Sequence, residues 1–546
     1  MARIVADPCI ERATDEKTRR NRMAALEGVV SVTGVRQVAP CRVPSLRRRA
    51  TSRYERLVVR AAQIVPVCVA IAACVSPFDD ARTREIVSVL SQADEPLIRT
   101  RPALAASKYE AMSSSLFAFF RGTFPLYLHD TQTHVGGLVA SDYFAEAYPM
   151  SLGDAHPENF GTLVARDGTM ALEPNDLDAA DRYPYLWEVR RLGVGLCIAA
   201  RVSNPSDEAA RALTRSRERE YAFALADAYA AEVRRLDEGG ERGRYVDPTG
   251  SAFLEDLFER ALDDLPTRSE LGELTVVEGG ARKLKRGGID PDDPTNVFTD
   301  LADVARVALP ATLEGYRATL VSPPPASFFR IKDAAREYGS GVASRPRVRV
   351  IILVEGQTED PADDVILELK EIGDTGMRPV GRPTVAADDT QGRIRYAQRT
   401  AWTRRDADPL WGMSELLGLP VQIKGELEAH KTIRVARIEE EIGTPEAMLE
   451  LASHLGGVLA RAHAGSEEDF PGTLAAIAGA VGQPGFADEQ AEVSIAYADQ
   501  VEADFGRFRA AFEELGPRLG IPEDAADKPD ADIAALLGAP PEGGEQ

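Results

Sequence analysis

Cysteine is scarce in this 546-residue chain and unevenly placed: Cys9, Cys41, Cys68 and Cys74 lie near the start, and Cys197 stands alone in the body. One cysteine in an apolar stretch (RLGVGLCIAA) supports neither a disulfide framework nor a zinc site. Histidine is equally thin at 6 residues, and His129 with His134 has no convincing third ligand. No Ser–His–Asp or Cys–His nucleophile arrangement is legible. Basic residues are outnumbered, Lys+Arg 64 against Asp+Glu 87, for a formal net charge of −23. That balance argues against nucleic acid or an anionic membrane face as the main partner. The apolar run Ala61–Ala73 is too short to span a bilayer, and no internal repeat stands out. What remains, 44% hydrophobic and 28% charged residues, is ordinary globular usage, which allows a sizeable core and excludes wholesale disorder.

The charge deficit conceals a split. Residues 1–74 hold 14 basic side chains, thirteen of them Arg, and 6 acidic ones, leaving 50 basic and 81 acidic for the rest. The Arg-rich stretch leads into the apolar run and ends Ile71-Ala72-Ala73-Cys74. That length suits the apolar region of a signal peptide, and the ending resembles a bacterial lipobox, whose Cys is lipidated. Two readings stand: a lipoprotein anchored through Cys74 and facing the periplasm, or a short buried helix or strand in a cytoplasmic chain.

Beyond the leader (1–81), patterning predicts an α+β, helix-rich body. Residues 82–150 read mainly as helices, with Met112, Leu116, Phe119 and Phe120 on one face. Long helices are expected at 206–236, 445–463 and 488–514. Strand alternation is strongest at Arg347–Glu355 and Val365–Lys370, which predicts a β-hairpin. The Pro-rich 322–325 marks a boundary, dividing a helical part (82–321) from a hairpin part (322–435). C-terminal helices (436–516) and a disordered tail (517–546) follow.

The most informative stretch is Gly153-Asp-Ala-His-Pro-Glu-Asn-Phe-Gly161, followed by Leu172-Glu-Pro-Asn-Asp-Leu-Asp178. Between them, TLVARDGTMALEP reads as two short strands around Asp167-Gly168. A strand–turn–strand of that length returns the chain to its start and brings Asp176 and Asp178 beside Asn159. Two or three carboxylates and a carboxamide at one point suit Mg²⁺, a hard cation that shares its shell with phosphate oxygens. A further carboxylate outside the shell can take a hydroxyl proton, the division of labour in kinase phosphoryl transfer. Downstream, Tyr338-Gly-Ser-Gly-Val-Ala-Ser344 enters a strand whose partner carries Lys370. Glycines at 339 and 341 let backbone approach phosphates, and Lys370 supplies a point charge for them.

Gly-Asp-Ala-His-Pro-Glu-Asn resembles the catalytic loop of the aminoglycoside phosphotransferase and choline kinase branch of the protein-kinase-like fold, and Asn175-Asp-Leu-Asp178 resembles that branch's metal motif. The resemblance implies Asp154 as catalytic base, His156 as a brace for the loop, Asn159 and Asp176 as metal ligands, and Asp178 as an additional ligand. Gly339, Gly341, Lys370 and Arg121 would hold the nucleotide phosphates. Over roughly residues 96–465 the chain is similar to a bacterial family catalogued as domain of unknown function 2252. That similarity rests also on Lys108-Tyr-Glu-Ala-Met112, Phe117-Ala-Phe-Phe-Arg-Gly122, Trp187-Glu-Val-Arg-Arg-Leu192, Glu368-Leu-Lys-Glu371 and Leu459-Ala-Arg-Ala-His463. Two features depart from its pattern: a glycine expected later in the loop is either Ser344 or absent, with two extra residues before Arg349, and Val350 stands where an aromatic is expected.

The implied protein is a two-lobed kinase-like phosphotransferase, its lobes in permuted chain order, using Mg²⁺ and ATP on a hydroxyl of a small molecule. The acidic surface would favour a neutral or cationic acceptor. Its rivals are a degenerate kinase-like module that binds a nucleotide or partner without transfer, and a metal-dependent phosphohydrolase. Glu188, Arg190 and Arg191 are expected to brace the loop, and His463, Trp402 and Trp411 to be structural.

Overall fold

Between Asp80 and Thr133 the chain alternates helix-forming runs with short polar stops, and most stops become helix starts. The computed structural model describes residues 76–202, 208–246, 248, 250–264, 268–289, 294–373, 390–426, 429–435, 445–517 and 519–520. The leader with Cys74, and residues 521–546 of the expected tail, lie outside them. The Asp80 carboxylate accepts from the Arg82 N–H and opens α1 (Ala81–Ala93). Then follow α2 (Glu95–Thr100), α3 (Pro102–Ser114), α4 (Leu116–Gly122) and α5 (Phe124–Thr133), with Pro in the first turn of α2, α3 and α5. The face expected to be continuous from Met112 to Phe120 is therefore broken. Ser115 is extended, and its hydroxyl accepts from the Ala118 N–H to start α4. Met112, Phe119 and Phe120 still reach the core, while Leu116 is only half-buried.

Four short strands frame the acidic motifs: β1 (Met150–Ser151), β2 (Phe160–Val164), β3 (Met170–Pro174) and β4 (Asp181–Arg182). β1 pairs with β4 and β2 with β3, both antiparallel, Phe160 opposite Pro174. The helices α6 (Tyr185–Val202), α7 (Glu208–Asp237), α8 (Ala252–Asp264) and α9 (Ser269–Leu274) come next. β5 (Thr275–Glu278) and β6 (Ala281–Leu284) form a separate hairpin.

The expected hairpin is part of something larger. β7 (Gly287–Gly288), β8 (Val297–Asp300), β9 (Ile331–Tyr338), β10 (Arg349–Val354), β11 (Val365–Glu371), β12 (Gly412–Leu416) and β13 (Leu419–Gly425) form one seven-stranded antiparallel sheet, ordered β12-β13-β11-β10-β9-β8-β7. The glycine segment is thus the turn between β9 and β10, and Lys370 lies opposite Arg349. On one face, α10 (Asp303–Arg317) packs Ala305, Leu309, Leu313 and Tyr316 against Val350, Ile352, Leu367 and Leu369. This cluster runs across residue 321, so the sheet unit begins upstream of the Pro-rich stretch. The other face has a small apolar cluster including Phe298, Ile351 and Ile366.

Helix α11 (Thr390–Ala401) precedes β12, and α12 (Pro445–Ala464), α13 (Thr473–Val481) and α14 (Phe486–Leu515) complete the chain. α7 packs on α12 and α14, and α6 on α7 and α14, around a core in which Cys197 is fully buried. The long helices match their expected positions because each carries an uninterrupted pattern of apolar residues at helical spacing. Among the described residues, no helix is long and apolar enough to cross a membrane.

Candidate functional site

The β2–β3 pairing returns the chain as its spacing predicts. The Asn175 N–H donates to the Asn159 carbonyl (3.0 Å), so the two acidic motifs start from adjacent backbone. They are pressed together again at Gly153, where φ is +91° and an added Cβ would strike the Ala179 carbonyl. A side chain there would push the two loops apart.

Asp154 is held by Arg191 of α6, whose Nε and Nη2 donate to Oδ1 at 2.9 and 2.7 Å. The guanidinium is fully buried, 3.7 Å above the Phe120 ring centre, and also donates to the Phe120 carbonyl. Burial pushes the Asp154 carboxyl above the usual carboxylate range, with the Arg191 charge pulling the other way. Glu188 accepts from the Gly153 N–H (2.8 Å) and also pairs with His463 (2.7 Å), which meets Tyr229 on its other nitrogen. Glu188 and Arg191 therefore brace the loop as expected, whereas Arg190 does not. It bonds Gln490, Glu489 and the Val139 carbonyl. His156 is buried edge-on to Phe117 (5.9 Å), with Nε2 3.9 Å from Asp154 and Nδ1 without a hydrogen-bond partner. Burial, then the nearby Arg121 and Arg191 charges, hold its imidazole well below the usual range, so it is neutral at pH 7.

The Asn159 amide donates to the Asp154 carbonyl (2.7 Å). Asp176 accepts from the Asp178 N–H (3.1 Å). Burial alone would raise its carboxyl, but the Lys370 charge and the Asp178 amide hold it below the usual range. Lys370 Nζ, from the sheet, lies 2.6 Å from Asp178 Oδ2 and 3.5 Å from Asp176 Oδ2. Arg121, ending α4, pairs with Glu158 (2.7 Å) at the same opening.

These groups line two adjoining cavities. The first, about 150 Å³, is bounded by Asp154, His156, Asp178, Lys108 and Arg347. The second, about 400 Å³, lies against the sheet and is bounded by Ser340, Gly341, Ile351, Glu368 and Lys424. Arg121, Asn159, Asp176, Ser344 and Lys370 line both. Gly339 lines neither. Its φ of +87° lets the backbone pass the Thr295 carbonyl, so its glycine serves a backbone crossing and not the cleft. Ser344, at the expected glycine position, accepts from Arg349 (3.3 Å), and Val350 is buried against α10, away from the opening. Trp402 and Trp411 stack edge-on, with the Trp402 indole bonded to the Pro174 carbonyl.

Sequence reading missed Arg393, which donates to the carbonyls of Asp178, Ala180 and Gly373 and so clamps the second motif to the end of β11. Nothing in TQGRIRYAQ signals that role. It also missed Arg347, though the alternation of Arg345, Arg347 and Arg349 beside the glycine segment was a signal.

For a hard cation, the oxygen set is two carboxylates and a carboxamide. Among the described residues no group of three or more His, Cys, Asp or Glu side chains is placed to hold a metal ion. The donors nevertheless fit an open Mg²⁺ site, because Asp178 Oδ1 is buried without a hydrogen-bond partner among the described residues and one lysine, Lys370, is paired with both carboxylates.

The molecule is thus an α+β protein in which Lys370 of an antiparallel sheet meets an acidic double loop on a helical base. It belongs to the family described as "Uncharacterized protein conserved in bacteria", domain of unknown function 2252, whose model matches residues 99–511. No curated protein and no solved structure matches the chain.

Proposed function

We propose that this cleft is a phosphotransfer site that uses Mg²⁺ and ATP to phosphorylate a hydroxyl of a small molecule. The observation that carries the reading is the contact of Lys370 with Asp176 and Asp178, which unites the sheet with a motif 194 residues earlier. In this reading the sheet and the helical part are two lobes of a kinase-like fold, joined in reversed chain order.

Asn159, Asp176 and Asp178 would hold Mg²⁺, which supplies charge neutralisation on the donor phosphates. Lys370 binds the same phosphates as a point charge, and the turn at Ser340-Gly341 offers backbone to them. Asp154 orients the acceptor hydroxyl and takes its proton. Arg191 fixes the rotamer of that carboxylate, and Glu188 fixes the loop through the Gly153 N–H. Buried, neutral His156 fills space behind the loop without adding charge.

Asp176→Ala should weaken binding of Mg-ATP at least tenfold in calorimetric titration while leaving the thermal midpoint nearly unchanged, since this side chain is 38% exposed. Unaltered affinity would overturn the reading. A second reading, a module that binds nucleotide without transfer, is favoured by the glycine segment, where Gly339 serves a backbone crossing and Ser344 stands at the expected glycine. Phosphorylation of any acceptor would exclude it.

A further inference from the structure

Four cationic side chains line the smaller cavity: Lys108, Arg121, Arg347 and Lys370. Three are already matched. Lys108 is bound to both oxygens of Asp94, Arg121 to Glu158, and Lys370 to Asp178 and Asp176. Arg347 is half-buried, yet it forms no ion pair with any described residue. Its backbone is tied, the N–H donating to the Ser344 carbonyl (2.9 Å).

Its guanidinium is also seated. It occupies the space a side chain at 373 would take, so that a Cβ on Gly373 would collide with Nη1, Nη2 and Cζ. Gly373 is fixed in turn by Arg393, which donates to its carbonyl (3.0 Å) and to that of Asp178 (3.0 Å). The charge is therefore placed by packing against Gly373 at the end of β11 and, among the described residues, not by a counter-ion. A guanidinium so placed has donors that no described residue takes up, and it can bind the paired oxygens of a carboxylate or phosphate bidentately.

The two cavities divide the work. Ser340 and Gly341 line only the larger one, whereas Asp154 and Arg347 line only the smaller, and Asn159, Asp176 and Lys370 stand between. We infer that the smaller cavity is an oxyanion site, with Arg347 binding a carboxylate or phosphate group carried by the acceptor while Asp154 faces its hydroxyl. The acceptor half of this inference rests on the phosphotransfer reading. It replaces the expectation of a neutral or cationic acceptor, because the acidic groups here already have cationic partners and the charge left unmatched among the described residues is positive.

The test titrates the full-length protein with inorganic phosphate, and separately with Mg-AMPPNP, for wild type, Arg347→Ala, Arg347→Lys and Gly373→Ala. Thermal midpoints confirm that each variant folds. Phosphate affinity should fall at least tenfold in Arg347→Ala and in Gly373→Ala and be partly kept in Arg347→Lys, with Mg-AMPPNP affinity within twofold of wild type. Phosphate binding that is absent in wild type, or equal in Arg347→Ala, would overturn the site. A matching loss of Mg-AMPPNP affinity in Arg347→Ala would overturn its assignment to the acceptor. If wild type bound phosphate through Arg347 but no Mg-AMPPNP, the phosphotransfer reading would fall and the anion site would stand.

Discussion

Asp154 is set by two opposed influences, burial and the Arg191 guanidinium, and the sign of each is testable. Burial disfavours the carboxylate and raises its pKa, while an adjacent cation lowers it by about 1–3 units. A base must be deprotonated to act, so turnover should fall as pH drops through the Asp154 pKa. In Arg191→Met the nearest cation is gone, and burial is opposed only by the weaker pull of the Arg121 charge. The acid limb of the pH–rate profile should then move to higher pH by about 1–3 units. An unmoved limb would separate Asp154 from the proton transfer. That Asp154, Asn159, Asp176 and Asp178 come together was legible at this scale, because they sit in short motifs whose spacing a hairpin can close. Gly339 was misread, since Gly-Ser-Gly looks the same whether its backbone faces a phosphate or the Thr295 carbonyl.

At the scale of elements, the site depends on two loops held at contact distance. Gly153 and Gly168 both have positive φ, but only Gly153 has backbone in the way of a Cβ, and Gly168 faces open space. Gly168→Ala should therefore cost about 1 kcal/mol from strain alone. Gly153→Ala should cost more, on the order of 3 kcal/mol, and should weaken Mg-nucleotide binding because it separates Asp154 from Asp178. Urea unfolding of both variants checks the order, and equal costs would refute the contact with Ala179. The seven-stranded sheet was only partly readable. Val350–Val354 and Val365–Leu369 carry β-branched and apolar residues that announce strands. Between charged neighbours, Ala334-Ala335 in β9 has little β-propensity and becomes a strand only because partners lie on both sides.

At the scale of the whole body, the sheet is tied to the first helices by Arg101 and Glu371, both buried and bonded at 2.6 and 3.1 Å. Glu371 follows Lys370 directly, so this pair also sets where Lys370 meets the acidic loops. Removing one partner of a buried pair leaves an unpaired charge, at about 3–5 kcal/mol. Arg101→Ala should lower stability by that amount in denaturant unfolding and weaken Mg-nucleotide binding. A change below 1 kcal/mol would show that the pair does not hold the sheet.

By itself, the amino-acid order determined the helices, the strand–turn–strand between residues 160 and 174, and the gathering of carboxylates it produces, because local periodicity and short-range chain return need no distant partner. Tertiary structure alone decided that Lys370 reaches Asp178, that Arg393 clamps Gly373 to the second motif, and that Arg347 has no counter-ion among the described residues. Those outcomes depend on how separately formed elements pack and on which charges remain unmatched once they have, and no span of sequence encodes that locally.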